Sequence, residues 1–299
     1  MEKKHSFIVG EPGSRLDVFV SGRLPELSRT YAQKLIADGC ITINGRVAKA
    51  SQKVNTGDRV AVTIPPPEPS TLVAEDIPLD IIYEDDDLLV VDKPAGLTVH
   101  PAPGNPSHTL VNALLFRFPG LPAGDDYVRP GIVHRLDKDT SGLMLVAKNR
   151  VALNKLANQF KSRSVLKAYL VLVRGRLSPE NGFIDAPIGR DPRNRKCMAV
   201  VSGGREARTG YRVIKYIGDY TLLEARLETG RTHQIRVHLS AIGYPVVGDA
   251  TYGAKSPFLG RQFVHACRLG FRLPSSGQYV EFESELPHDL EQALEKVTL

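Results

Sequence analysis

Apolar residues in the first part of the chain fall into short, distinct periods. Ala32, Leu35 and Ile36 share one helical face at spacings i, i+3 and i+4. Ser28 stands where its hydroxyl can cap the first turn, and Gly39 where a left-handed residue can end the helix. Ile41, Ile43 and Val47 flank Asn44-Gly45, a pair suited to the positive φ angles of a two-residue hairpin turn. Val60, Val62 and Ile64 then alternate as a strand after the turn Thr56-Gly57-Asp58. The pattern predicts a small α/β unit over residues 14–64.

Pro65 to Pro67, with Pro69 and Ser70 close behind, exclude a helix or a central strand and favour an extended polyproline-II linker over 65–79. A larger unit, 80–299, follows. Leu88–Val91, Leu143–Val146 and Tyr169–Val173 are unbroken apolar runs, the mark of strands covered on both faces. Tyr211–Tyr216, Thr221–Leu227 and Tyr279–Phe282 read as further strands. Ser107 is placed to cap a helix over Leu110–Leu114. Leu153, Leu156, Ala157 and Phe160 stripe a second helix, and Ile235, Leu239 and Ile242 a third that ends at Gly243. Strands and helices alternate without a βαβ rhythm. The expected class is α+β: a mixed, largely antiparallel sheet with a central cleft, preceded by the small module.

Composition narrows the reading. No apolar run approaches the length that spans a bilayer, and Met1 to Gly10 lacks the apolar core of a signal peptide. Cys40, Cys197 and Cys267 are scattered, without disulfide or zinc spacing. These features predict a cytoplasmic, reduced protein that uses no metal. The net charge of +6 permits a polyanionic partner without proving one. In the small unit eight basic residues face four acidic ones, and Arg29, Gln33 and Lys34 lie off the apolar stripe, where they could meet phosphates.

The densest chemistry lies between Gly131 and Gly142, with four charges, a histidine and two hydroxyls beside two buried strands. Asp137 and Asp139 invite comparison with a glycosidase pair, which needs one carboxylate on each side of the scissile bond. Their i, i+2 spacing would put them on opposite faces of an extended segment, so one working carboxylate is the better reading.

The stretch from Ser14 to Val47, with its R-L-D opening, S-R-x-x-A-Q-K-L-I helix and G-x-I-x-I-N-G-R-V hairpin, resembles the alpha-L RNA-binding module. The segment H-R-L-D-K-D-T-S-G from His134 is similar to the signature of RluA/RluD-type RNA pseudouridine synthases. Agreement continues through Glu84 to Gly96, V-H-P-A-P-G-N from Val99, Lys167-Ala168-Tyr169, T-G-R-T-H-Q-I-R-V-H from Thr229, Gly243 to Asp249, and Val264-His265-Ala266.

This resemblance implies an enzyme that isomerises uridine to pseudouridine in structured RNA, most readily large-subunit ribosomal RNA. It implies no cofactor and no obligatory protein partner. Asp137 would attack the nucleotide or remove a ribose proton, Tyr169 would stack on the uracil and take up the carbon-5 proton, and Arg236 would pair with Asp137. A planar guanidinium could do so through two parallel hydrogen bonds. Arg135 would fill the gap left by a flipped nucleotide. Arg231 and His233 would contact RNA or scaffold their loop, and Arg29 and Lys34 would serve the N-terminal module. Ile235 and Val264 would line the base pocket or simply fill core. Arg208 departs from the family pattern, and the run Arg190, Arg193, Arg195 and Lys196 suits phosphates. A non-catalytic RNA-binding or ribosome assembly factor, and a glycosylase that releases free base, are the alternative classes.

Overall fold

The computed structural model describes residues 3–65, 72–102, 104–122, 130–253 and 255–298. The expected polyproline linker falls mostly on residues 66–71, outside the described residues. The first sheet combines β1 (Lys3–Ile8), β2 (Ile41–Ile43), β3 (Arg46–Val47) and β4 (Arg59–Ile64) in the order β1-β4-β2-β3. Helices α1 (Leu16–Arg23) and α2 (Arg29–Ala37) cover it. As the sequence implies, Ser28 Oγ accepts from the Tyr31 N–H at 3.0 Å. Asn44 and Gly45 take φ of 51° and 75° at the hairpin turn. Strand β1 was not anticipated. It pairs antiparallel with β4 from Lys3↔Ile64 to Ile8↔Arg59, so the unit begins before residue 14. Its mostly exposed pattern hid it, because an edge strand needs few apolar residues.

Within this unit the Asp17 side chain is fully buried at the start of α1. It accepts from Arg15 Nε (3.0 Å), Arg29 Nε (3.0 Å) and Gln33 Nε2 (2.6 Å). Burial alone would raise its pKa, but bonds from Arg15, Gln33 and Arg29 outweigh it and hold the carboxyl well below its ordinary range. Arg29 and Gln33, expected to face phosphates, therefore hold α2 against α1.

The second sheet begins with β5 (Asp80–Glu84) and β6 (Leu88–Lys93), followed by α3 (Leu110–Arg117) and β7 (Ser141–Ala147). Then come α4 (Arg150–Lys161), β8 (Leu166–Arg174) and β9 (Asn181–Asp185). A separate ribbon pairs β10 (Ile188–Arg190) with β11 (Met198–Val200), its turn carrying the exposed basic run from Arg190. The chain returns through β12 (Arg208–Ile217), β13 (Tyr220–Leu227) and α5 (Gln234–Ala241). It closes with β14 (Val264–Arg272), β15 (Tyr279–Glu283) and α6 (His288–Thr298). The sheet order is β5-β6-β7-β14-β8-β13-β12-β9, with β15 on β14.

Every pairing is antiparallel except β7 with β14. Leu89, Val91, Met144 and Val146 pack beneath α3, α5 and α6, whereas Leu88, Val90, Leu143 and Leu145 meet α4 on the opposite face. Strand alternation divides each run between these two cores, which is why the runs are unbroken. Helix α3 is capped by Thr109 rather than Ser107, in a reciprocal box with Asn112. Ile242 is half-exposed at the end of α5 instead of completing its buried stripe.

The parallel contact His265↔Ser141 and Ala266↔Gly142 draws β14 against the end of the Asp137 segment. Gly142 permits this, since its φ is +113° and a Cβ there would collide with the Ala266 carbonyl oxygen. Gly142→Ala should therefore destabilise the large unit by on the order of 3 kcal/mol, combining backbone strain and overpacking. A urea midpoint equal to wild type would refute this.

The depressed Asp17 pKa gives a second expectation. Its stabilisation is complete above the unfolded carboxyl value of about 4 and is lost as pH falls towards the folded one. Asp17→Asn should remove that acid sensitivity. It should also cost on the order of 2 kcal/mol at neutral pH, because the buried fork loses its charged acceptor. Melting curves between acid and neutral pH check both.

Candidate active site

A cleft of about 460 Å³ opens where the segment from Val133 to Thr140, strand β8 and the loop entering α5 meet. Asp137, Tyr169, Arg236, Arg135, Arg231, His233, Ile235 and Val264 all line it, although they are widely separated along the chain. Arg135 is exposed at the mouth, and Asp137 keeps a side-chain exposure of 19%. Asp139 is not among the lining residues; it lies in a turn where its carbonyl accepts from Arg261 at 3.0 Å. The Asp137 segment is pinned from below by Lys93. Its fully buried ammonium donates to the carbonyls of Pro94 (2.7 Å), Leu97 (2.9 Å) and Lys138 (3.1 Å). Burial pushes the Lys93 pKa down to about 7.

Arg236 does pair with Asp137, but through one bond, Nη1 to Oδ2 at 3.1 Å. Its fork belongs to Asp249: Nε donates to Oδ2 at 2.7 Å and Nη2 to Oδ1 at 2.9 Å. The expected two-bond grip on Asp137 is thus replaced by a two-bond grip on a buried neighbour. Asp249 Oδ1 also accepts the N–H groups of Thr251 (2.9 Å) and Tyr252 (3.1 Å). Burial favours neutral forms of both side chains, but their mutual attraction raises the Arg236 pKa and lowers that of Asp249. The guanidinium also lies over the Tyr252 ring, 5.1 Å from its centroid.

His233 completes the arrangement. It begins α5 with a left-handed φ of 56°, and its Nε2 stands 3.9 Å from Asp137 Oδ2. Its Nδ1 lies 2.7 Å from the Tyr252 hydroxyl, which accepts from the Met198 N–H at 2.9 Å. The hydroxyl's own proton can then be donated to Nδ1, an arrangement in which a neutral ring carries its proton on Nε2, facing the carboxylate. Burial lowers the His233 pKa and favours this neutral ring, although Asp137 opposes the shift.

The loop before α5 is organised by Gln234. Its Oε1 accepts from the Thr229 hydroxyl (2.8 Å) and the Arg231 N–H (2.9 Å), and its Nε2 donates to Thr209 Oγ1 and the Arg208 carbonyl, each at 3.0 Å. Arg231 lines the cleft, and it scaffolds its loop by donating from Nε to the Glu206 carbonyl at 2.9 Å. Tyr169 is buried beneath the cleft, and burial followed by the charge of Asp137 pushes its phenol upward. Arg208 stacks over Phe183 at 4.4 Å and donates to Glu228 at 3.2 Å. Arg29 and Lys34 lie on the N-terminal unit, Lys34 exposed on α2. That unit rests on α4, where Asn154 donates to the Pro25 carbonyl at 2.7 Å and Arg150 lies over the Tyr31 ring.

Asp249, Tyr252 and Gln234 were missed as working residues. Asp249 and Gln234 stood inside quoted motifs, but nothing local to them names their partners. Among the described residues no acidic, histidine or cysteine cluster is placed to hold a metal ion, and no helix is long and apolar enough to cross a membrane.

The fold and the cleft define an α+β enzyme with one carboxylate beside a fixed guanidinium. The family described as RNA pseudouridylate synthase matches residues 87–241, and the S4 domain matches residues 14–60. A Chloroflexus aurantiacus protein named an uncharacterized RNA pseudouridine synthase is 52% identical, covering 99% of this chain and 95% of its own. A Nitrosomonas europaea protein named ribosomal large subunit pseudouridine synthase D is 46% identical, covering 95% of this chain and 85% of its own. The solved human RNA pseudouridylate synthase domain containing 1 superposes with a TM-score of 0.57 at 31% identity. It covers 75% of this chain and 96% of its own. The chain belongs to the RNA pseudouridine synthase family and is an RNA pseudouridine synthase.

The Asp249 fork implies that Arg236 is aimed before RNA arrives. Asp249→Asn keeps the shape but loses the charge, so the guanidinium should drift off Asp137. The single-turnover rate of pseudouridine formation should fall on the order of a hundredfold, as for small misplacements of catalytic groups. RNA affinity should stay within about threefold of wild type, since Asp249 lies beneath the cleft floor. An unchanged rate would show that Arg236 needs no such support.

Proposed function

We propose that this enzyme converts uridine to pseudouridine in large-subunit ribosomal RNA, with Asp137 as its catalytic carboxylate. The observation that carries the reading is the partly exposed Asp137 carboxylate, 3.1 Å from a guanidinium aimed by Asp249, in a cleft of about 460 Å³. Relatives named ribosomal large subunit pseudouridine synthase D, 43–46% identical over most of the chain, support the ribosomal target. A cytoplasmic location fits that target.

The chemistry follows from these positions. Asp137 acts on the ribose side of the nucleotide, by attack or by removing a ribose proton, and the bond from carbon 1′ to nitrogen 1 breaks. The freed uracil turns in the cleft against Tyr169, Ile235 and Val264, and carbon 5 bonds to the ribose. Carbon 5 then gives its proton to solvent water and nitrogen 1 takes one from water, so product and substrate have the same atoms. Arg236 donates to Asp137 through Nη1 at 3.1 Å and fixes the direction of the carboxylate. Tyr169 works as a protonated phenol that stacks on the base, since its raised pKa argues against a resting phenolate. Arg135, exposed at the mouth, fills the space the flipped uridine leaves. The S4 unit adds sequence-independent affinity through its basic surface.

Asp137→Asn should reduce pseudouridine formation below about a hundredth of wild type and leave RNA affinity nearly unchanged, because the amide is isosteric but not nucleophilic. Asp139→Asn should stay active. Chromatography of reacted ribosomal RNA separates the readings: pseudouridine supports the proposal, abasic sites indicate a glycosylase, and no change indicates an assembly factor. Pseudouridine maps of total RNA with and without the gene test the ribosomal target.

A further inference from the structure

Lys167 lies on β8 two residues before Tyr169, so strand alternation puts both side chains on one face, about 7 Å apart along the chain. It lines the cleft yet is only 8% exposed. Its ammonium lies over the Phe160 ring, 5.8 Å from the centroid. Among the described residues no carboxylate pairs with it and no carbonyl caps it. Every comparable charge nearby is answered. Lys93 has three carbonyls, Arg236 has Asp249, and Arg163, on the same cleft wall, has Glu206 at 2.8 Å.

Neighbouring His134 offers no negative charge either. Its ring stacks on Phe160 at 4.6 Å, and its Nε2 accepts the Leu145 N–H at 2.9 Å, the geometry of a neutral imidazole. Burial pushes its pKa down to about 3. A buried cation without a partner is unfavourable, and a fold retains one where a ligand supplies the missing charge.

We propose that Lys167 is the receptor for a backbone phosphate of the target nucleotide, the one whose base lies against Tyr169. The inference rests on the reading of the cleft as a uridine site in RNA. The separation of Lys167 from Tyr169 matches the scale of one nucleotide. A phosphodiester suits the site better than a uracil carbonyl, because a neutral dipole does not answer a full buried charge. The amine is still largely protonated at neutral pH, since burial and then repulsion by Arg163 push its pKa down only to about 8.

The test uses the full-length enzyme and a ribosomal RNA fragment that the wild type converts; failure to convert any such fragment counts against the functional reading and not against Lys167. The fragment is made with one methylphosphonate, which removes a single charge, at the phosphate 5′ or 3′ of the target uridine. Lys167→Met should lower the single-turnover kcat/KM about ten- to a hundredfold, the usual scale for a charge-assisted hydrogen bond. Methylphosphonate at one of the two positions should lower the wild-type value by a similar factor. That same change should barely affect the Met variant, because the two losses share one interaction. Lys167→Arg should recover part of the rate. The Met variant should also melt higher than wild type, since an unanswered buried charge has been removed. Equal sensitivity of wild type and Met variant to methylphosphonate would overturn the proposal. So would a Met variant that melts lower than wild type, which would make Lys167 part of the core.

Discussion

The structure around the cleft depends on one buried ion pair, the fork between Arg236 and Asp249. A carboxylate and a guanidinium taken out of water stay charged only if their hydrogen bonds are nearly complete. Here Asp249 accepts both guanidinium N–H groups and two backbone N–H groups, leaving a further guanidinium N–H free to reach Asp137. Tyr252 lies beneath the guanidinium, and its hydroxyl is hydrogen-bonded to His233 Nδ1. One short turn, Asp249 to Tyr252, thereby holds both Arg236 and His233, the two neighbours of Asp137.

The sheet provides the frame that makes this fork useful. Asp137 lies in irregular chain just before β7, whereas Arg236 sits on a helix 99 residues later, so neither segment can hold the other in place. The parallel contact of β7 with β14 fixes one side, with Gly142 allowing the backbones to meet. Lys93 fixes the other, tying the end of β6 to the carbonyl of Lys138. Helix α5 packs Ile235 and Leu239 into the same core as Met144 and Val146, which brings Arg236 within reach. Local stiffness on both sides serves a reaction sensitive to small errors in position.

In the N-terminal unit a basic residue of α2 also serves the fold. Arg29 lies off the apolar stripe, as a phosphate contact would, yet its Nε is committed to Asp17. The role of Asp17 depends on four side chains converging across two helices, and helical periodicity carries no information about such partners.

The sequence by itself determined the local architecture and the identity of the chemistry. Caps, turn glycines and alternation act over a few residues, so Ser28, Asn44-Gly45 and the buried runs of β6, β7 and β8 were legible from the chain. A dense polar segment singled out Asp137, and the resemblance of separate motifs to one family pointed to Tyr169 and Arg236. The tertiary structure alone decided which groups answer which charges. It gave the fork of Arg236 to Asp249 rather than Asp137, bound Arg29 Nε to Asp17, and left Lys167 buried without a counterion among the described residues. Charge pairing in a low-dielectric interior depends on distances between segments far apart in the chain, and no local pattern encodes those distances.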